Sequence, residues 1–258
     1  MTYALQLHDV SLAFGGVFAL NGVSIDFPRA KIVGIIGPNG AGKTSLLNVA
    51  SGVSSPDQGD VVLDGMQIGN LRSHEIARLG LRRTFQSSQL FPGMTVMENM
   101  MTGIHLSGKS GVLACMLRTP GMRQEEAEMR DRAMEALKFV GFESFADRPG
   151  NALSFGQQRI IEIARTLICD PKIVLLDEPA VGLSVNRVAE LDELLRKIRD
   201  ERGVTIIMIE HVIRLVMGVS DHIVVMNSGR KIAEGKAEEI RDNPEVVTAY
   251  LGAQGGVH

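Results

Sequence analysis

The chain has 258 residues, of which 45% are hydrophobic and 22% charged, a balance that provides for a packed core and excludes a chain too polar to fold. Its 27 Lys and Arg against 30 Asp and Glu leave a net charge of −3, which argues against a protein held to nucleic acid chiefly through phosphate contacts. The longest stretch free of Asp, Glu, Lys and Arg is residues 10–25, short of the roughly 20 apolar residues a membrane-spanning helix needs, and residues 1–9 lack the pattern of a secretory leader.

Strands are predicted at 3–10, where Tyr3, Leu5 and Leu7 alternate with polar neighbours, and at 17–27. Residues 31–37 (KIVGIIG) are a short continuous apolar run, the pattern of a strand covered on both faces. A helix is predicted over 44–51, ending at Gly52, then a strand at 61–63 and a short helix at 72–79 closed by Gly80. The texture then changes: residues 86–98 mix polar residues with Pro92 and Gly93, and helical patterns follow at 95–102 and 123–140. Residues 107–121, rich in Gly and Ser, read as an exposed loop. From 157 onward the alternation returns, with helices at 157–168, 185–202 and 211–218, strands at 172–176, 204–209, 222–226 and 231–233, and two short closing helices. Strand–helix alternation predicts a parallel sheet with helices on its faces, and residues 95–151 read as a helical subdomain inserted between core segments 1–94 and 152–258. The two cysteines, Cys115 and Cys169, are too few for a disulfide framework or a four-cysteine zinc site and read as free thiols in a reducing cytoplasm.

Gly37-Pro38-Asn39-Gly40-Ala41-Gly42-Lys43-Thr44 fits G-x-x-x-x-G-K-[ST] at every position, after an apolar strand and before a helix. Glycines let the backbone curl so that N–H groups converge on phosphate oxygens, and the helix N-terminus adds its positive end. Lys43 supplies a point charge for the outer phosphates, and the Thr44 hydroxyl suits Mg²⁺. The run 172–179 (KIVLLDEP) presents Asp177 at a buried strand end, where it can hold Mg²⁺. Glu178 follows, where it can polarise a water for in-line attack on the γ-phosphate. Taken alone, acids at a strand end are often simply solvated; the Lys43 loop is what lends them meaning.

Leu153-Ser154-Phe155-Gly156-Gln157 precedes an amphipathic helix with Ser154 as its N-cap. By itself this is a well-started helix. Its position 23 residues ahead of Asp177 makes the chain resemble the ATP-binding subunits of ABC transporters, whose L-S-G-G-Q signature stands there, and the resemblance covers nearly the whole chain. It implies a P-loop NTPase α/β fold with a parallel sheet, an N-terminal antiparallel β subdomain and an inserted helical subdomain. It also implies ATP and Mg²⁺ as ligands. Residues Gly37 to Thr44 and Ser45 would bind the phosphates and Phe14 would stack on adenine. Gln86 would be the Q-loop glutamine that reads the metal and the γ-phosphate, while Thr44, Gln86 and Asp177 would hold the metal. Glu178 would be the catalytic glutamate and His211 the switch histidine. Ser154, Phe155, Gly156 and Gln157 would touch the nucleotide of the opposite subunit, and residues 179–184 would form the D-loop along that interface. The chain departs from the family at Phe155, where the first signature glycine usually stands, and at Ser184, where many members carry the D-loop aspartate.

The strings Arg83-Thr84-Phe85-Gln86, Leu90-Phe91, Met94-Thr95-Val96-Met97-Glu98-Asn99 and Ala249-Tyr250-Leu251-Gly252 look like the longer ATPase subunit of importers of branched-chain amino acids. The resemblance implies an ATPase that powers uptake of branched-chain or other hydrophobic amino acids, with a second ATPase subunit, identical or not, two transmembrane permease subunits and, through them, a substrate-binding protein. It also implies a peripheral position on the cytoplasmic face of the membrane and no nucleic-acid partner. Urea importers, lipid exporters and soluble ABC ATPases acting on nucleic acid or ribosomes are alternatives; the last would carry a tandem ATPase half or a long coiled coil. Met94, Met97, Met100 and Met101 have two readings, core-filling side chains or an adaptable apolar surface that receives a cytoplasmic helix of the membrane partner.

Overall fold

A computed structural model describes residues 2–84, 90–103 and 120–254. The chain divides into two compact units, one built from Met1–Arg83 and Lys172–His258, the other from Thr84–Pro171.

The first unit holds two sheets. One is antiparallel, in the order β2-β1-β4-β5, from β1 (Tyr3–Phe14), β2 (Val17–Pro28), β4 (Gln58–Leu63) and β5 (Met66–Gln67). Alternation in β1 puts Leu5 and Leu7 into the core, as expected. The strand continues past Val10 to Phe14 because β2 pairs with it along its whole length, through several register shifts. The second sheet has the order β10-β9-β3-β8-β7-β6, from β3 (Ile32–Ile36), β6 (Leu81–Arg83), β7 (Ile173–Asp177), β8 (Thr205–Ile209), β9 (His222–Asn227) and β10 (Arg230–Gly235). All its pairings are parallel except β9 with β10. Every residue of β3, β7 and β8 is buried, which explains their unbroken apolar sequences. One core cluster joins Leu5, Leu7 and Phe27 of the antiparallel sheet to Leu46 and Leu47 of α1 (Lys43–Ala50) and to Val33, Leu175 and Ile207 of the parallel one. Of the remaining elements, α2 is Ser73–Arg78, α6 Val185–Arg202, α7 Ile213–Val219, α8 Ala237–Arg241 and α9 Pro244–Gln254.

The second unit is helical, with α3 (Val96–Thr102), α4 (Pro120–Phe139) and α5 (Phe155–Leu167). It is broader than the insertion expected at 95–151, because α5 buries Ile161 and Ala164, and Ile168 beyond its end, in the same cluster as Val96 of α3 and Leu137 of α4. Helix α4 begins at Pro120, inside the stretch read as loop, and residues 107–119 of that stretch lie outside the described residues. Asn99 is completely buried and ties the segment ahead of α3 to the helix. Its Nδ2 donates to the carbonyls of Phe91, Met94 and Thr95, and its Oδ1 accepts from the Phe91 N–H at 2.7 Å. Arg159 and Glu162, one turn apart on α5, form an ion pair of 3.0 Å with both side chains buried. Among the described residues no helix is long and apolar enough to cross a membrane.

The methionines separate by position. Met97 and Met100 are 2% and 0% exposed and belong to the helical core, and Met101 packs against it, whereas Met94, ahead of the helix, is 38% exposed. The docking-surface reading therefore fails for Met97 and Met100: spacing by three turns both side chains inward. Met97→Asp should bury an unpaired charge and cost about 3 kcal/mol or more, whereas Met94→Asp should stay within about 0.5 kcal/mol. Urea unfolding of the two variants checks this, and equal losses would contradict it.

Candidate functional site

In the parallel sheet β3, β8 and β7 are neighbours, so the loops leaving their C-terminal ends share one edge, where open α/β sheets bind ligands. From β3 the chain turns through Gly37 (φ +151°) and enters α1 through Gly42 (φ +95°). A Cβ at Gly37 would stand 2.1 Å from the Met226 carbonyl oxygen, and one at Gly42 would stand 2.3 Å from that of Ala19. Both positions thus require glycine twice over, by backbone angle and by the closeness of neighbouring backbone. Helix α1 has no side-chain cap and no acid in its first turn, which leaves its first N–H groups to an anion. Asn39, Gly40 and Thr44 are exposed, Pro38 and Ser45 half-buried and Ala41 buried.

Lys43 folds back over this loop, its ammonium donating to the carbonyls of Gly37 (2.7 Å) and Pro38 (2.9 Å). Burial holds its pKa below the ordinary lysine value, while the carboxylates of Glu178 and Asp177 act in the opposite direction. That arrangement leaves a cation with incomplete compensation beside a ring of backbone donors, a site that favours polyanionic phosphate.

Asp177 ends β7 and is buried. Its Oδ2 accepts from Arg83 Nη2 at 2.9 Å, and Arg83 Nη1 also donates to Asn48 Oδ1 (2.7 Å) and Ser51 Oγ (3.1 Å). Arg83 stands at the end of β6, a three-residue strand the sequence reading did not find. Glu178 follows with φ +51°, a left-handed conformation that costs a non-glycine residue about 1–2 kcal/mol. Its N–H donates to the Ile209 carbonyl, and its Oε1 lies 2.9 Å from Nε2 of His211. A carboxylate only accepts, so the imidazole is the donor. The structure therefore brings together Lys43, Asp177, Glu178 and His211.

Two further residues at this edge carried no assigned role in the sequence. Glu210 is buried, and its carboxylate accepts from the backbone of Ala180, His211 and Val212; an acid closing a buried apolar strand, as Asp177 does, was the available signal. Burial pushes the phenol of Tyr250 in α9 above the ordinary value, with the nearby Gly37 backbone acting in the opposite direction. Phe14 is exposed at the end of β1, on the hairpin whose β2 strand abuts the Gly42 turn. Gln86 lies outside the described residues.

In the helical unit Ser154 caps α5, its Oγ accepting from the Gln157 N–H while Gln157 Oε1 accepts from the Ser154 N–H. This reciprocal box leaves Ser154 and Phe155 exposed and Gly156 and Gln157 half-buried at the start of the helix.

A phosphate loop after β3, an acid pair at the end of β7 and a histidine beyond β8, the strand between them, define a nucleotide-hydrolysing cassette. The chain belongs to the ABC transporter ATP-binding family: residues 20–181 match the family described as ABC transporter, and residues 230–255 match the one described as branched-chain amino acid ATP-binding cassette transporter. It is 44% identical over 248 residues to the high-affinity branched-chain amino acid transport ATP-binding protein BraF of Pseudomonas aeruginosa, covering 96% of this chain and 97% of that one. Identity to LivG of Escherichia coli K12, which bears the same description, is 42% with the same coverage. The ADP conformation of MJ1267, an ATP-binding cassette of an ABC transporter, superposes with a TM-score of 0.86 at 31% identity, over 98% of this chain and all of that one. The chain is thus an ABC-type ATPase.

Arg83 and Asp177 form a buried pair, with side chains 7% and 6% exposed. Arg83→Met should therefore lower stability by about 3–5 kcal/mol, because it leaves a carboxylate in the interior without its cation. Chemical denaturation provides the measurement, and a change below 1 kcal/mol would contradict the assignment.

Proposed function

We propose that this ATPase is the energy-supplying subunit of an importer of branched-chain amino acids. It would work at the cytoplasmic face of the membrane with a second ATPase subunit, two permease subunits and, through them, a substrate-binding protein. The 2.9 Å contact between Glu178 and His211, beside the Lys43 loop, carries the chemical part of this reading. The match of residues 230–255 and the descriptions of BraF and LivG support the cargo over urea or lipid.

In this reading residues 37–45 cradle the phosphates of ATP, with Lys43 turning from its own carbonyls to the outer phosphates and Phe14 offering its exposed face to the adenine. Glu178 accepts a proton from water as the water oxygen forms a bond to the γ-phosphorus and the bond to the ADP oxygen breaks. His211, held by Glu178, reaches the γ-phosphate. The Thr44 hydroxyl and the Asp177 carboxylate are hard oxygen donors that fit Mg²⁺, with Gln86 as a third, and the ion would neutralise phosphate charge. The exposed Ser154 and Phe155, with Gly156 and Gln157, would engage the nucleotide of the opposite subunit, and residues 179–184 would line that interface.

Glu178→Gln preserves shape and removes the acceptor carboxylate, so hydrolysis should fall by roughly 10²–10⁴-fold while ATP binding persists. With ATP uncleaved the variant should accumulate as an ATP-dependent dimer, read by size-exclusion chromatography with light scattering in the presence of the partner ATPase subunit. Wild-type turnover in the variant would remove Glu178 from the chemistry. Reconstituted with permeases and binding protein in vesicles, the wild-type ATPase should be stimulated by leucine, isoleucine or valine and not by urea; the reverse order would redirect the cargo assignment.

A further inference from the structure

Glu210 is the one acid among Asp177, Glu178 and Glu210 to which the hydrolytic reading gives no task. It closes β8 at 1% exposure. Burying a carboxylate is costly unless donors surround it, and here they come from two separate loops. Oε1 accepts from the Ala180 N–H at 2.5 Å, while Oε2 accepts from the N–H groups of His211 (3.1 Å) and Val212 (3.3 Å). Its own N–H donates to the Ile35 carbonyl in β3, the strand that leads into the phosphate loop. Glu210 therefore joins the three segments that carry Lys43, Glu178 and His211.

The joined segments need holding. Glu178 sits in a left-handed turn, and such a conformation persists only where the surroundings over-determine it. The Ala180 N–H belongs to that same turn, two residues on. The His211 N–H fixes the start of the segment from which the imidazole reaches Glu178. One carboxylate thus sets both ends of the Glu178–His211 contact. We infer that Glu210 is a positioning residue for ATP hydrolysis, a two-sided backbone clamp that keeps Glu178 and His211 in register across the β7 and β8 loops. Burial pushes its carboxyl above the ordinary value with the Glu178 charge adding to the rise, and the three N–H donors counter it.

The inference rests on the roles proposed for Glu178 and His211, and the test separates the two. Glu210→Gln is isosteric but retains a single carbonyl oxygen, so either the Ala180 N–H or the His211/Val212 pair faces an NH₂ group. Turnover should fall by about 10²-fold, the scale of a small misplacement of catalytic groups, while the Kd for a fluorescent ATP analogue stays within about twofold, because the phosphate loop is untouched. In a His211→Ala background the same substitution should lower turnover by less than about twofold more, since the register it protects is already lost. Wild-type-like turnover in Glu210→Gln, a full multiplicative loss in the His211→Ala background, or equal losses in turnover and binding would each overturn the inference. So would loss of the folded state by circular dichroism, which would make Glu210 a core residue and nothing more. If Glu178→Gln and His211→Ala keep normal turnover, the hydrolytic reading itself fails and the clamp falls with it; if they lose turnover and Glu210→Gln does not, only the clamp fails.

Discussion

Four charged side chains crowd the C-terminal edge of the parallel sheet, and the local structure supplies each of them with a partner. Charge at low dielectric is tolerated only when it is paired or ringed by dipoles. Lys43 is received by two carbonyls of its own loop, Asp177 by Arg83, Glu178 by His211 and Glu210 by three backbone N–H groups. Each solution uses a different partner. The carbonyls holding Lys43 belong to its own loop, whereas the acids are held by groups outside that loop.

Strand order makes this crowding possible. Because β8 lies between β3 and β7, segments distant in sequence end side by side, and their outgoing loops need move little to meet. The same edge concentrates backbone cost. Gly37 and Gly42 meet it by having no side chain, whereas Glu178, which needs its carboxylate, takes a left-handed turn. The same left-handed conformation occurs at Asp9, Ala30, Asp64, Asp170 and Ser228; at Glu178 it is combined with a carboxylate that faces His211.

The helical unit depends on local devices instead. Capping boxes begin α3 at Thr95 and Glu98 and α5 at Ser154 and Gln157, and the buried amide of Asn99 ties the residues leading into α3 to the helix itself. Buried Arg159 and Glu162 lie one turn inside α5, so the exposed Ser154 and Phe155 stand at the end of a helix anchored from within.

What could be read in the amino-acid sequence was what neighbours along the chain decide. The strand–loop–helix of residues 31–51, the helix Val185–Arg202 and the cap at Ser154 each depend on contacts within a turn or two, so glycine spacing, apolar runs and hydroxyl caps sufficed. The three-residue β6 escaped because a strand that short has no measurable period. The methionines around α3 could not be sorted by composition, since only the packing partner tells which face is inside. The pairs Arg83–Asp177, Glu178–His211 and Ala180–Glu210, separated by 94, 33 and 30 residues, came from the tertiary structure alone. Such pairs exist because separate strands are hydrogen-bonded side by side, and no residue's local preference records which strand will be its neighbour.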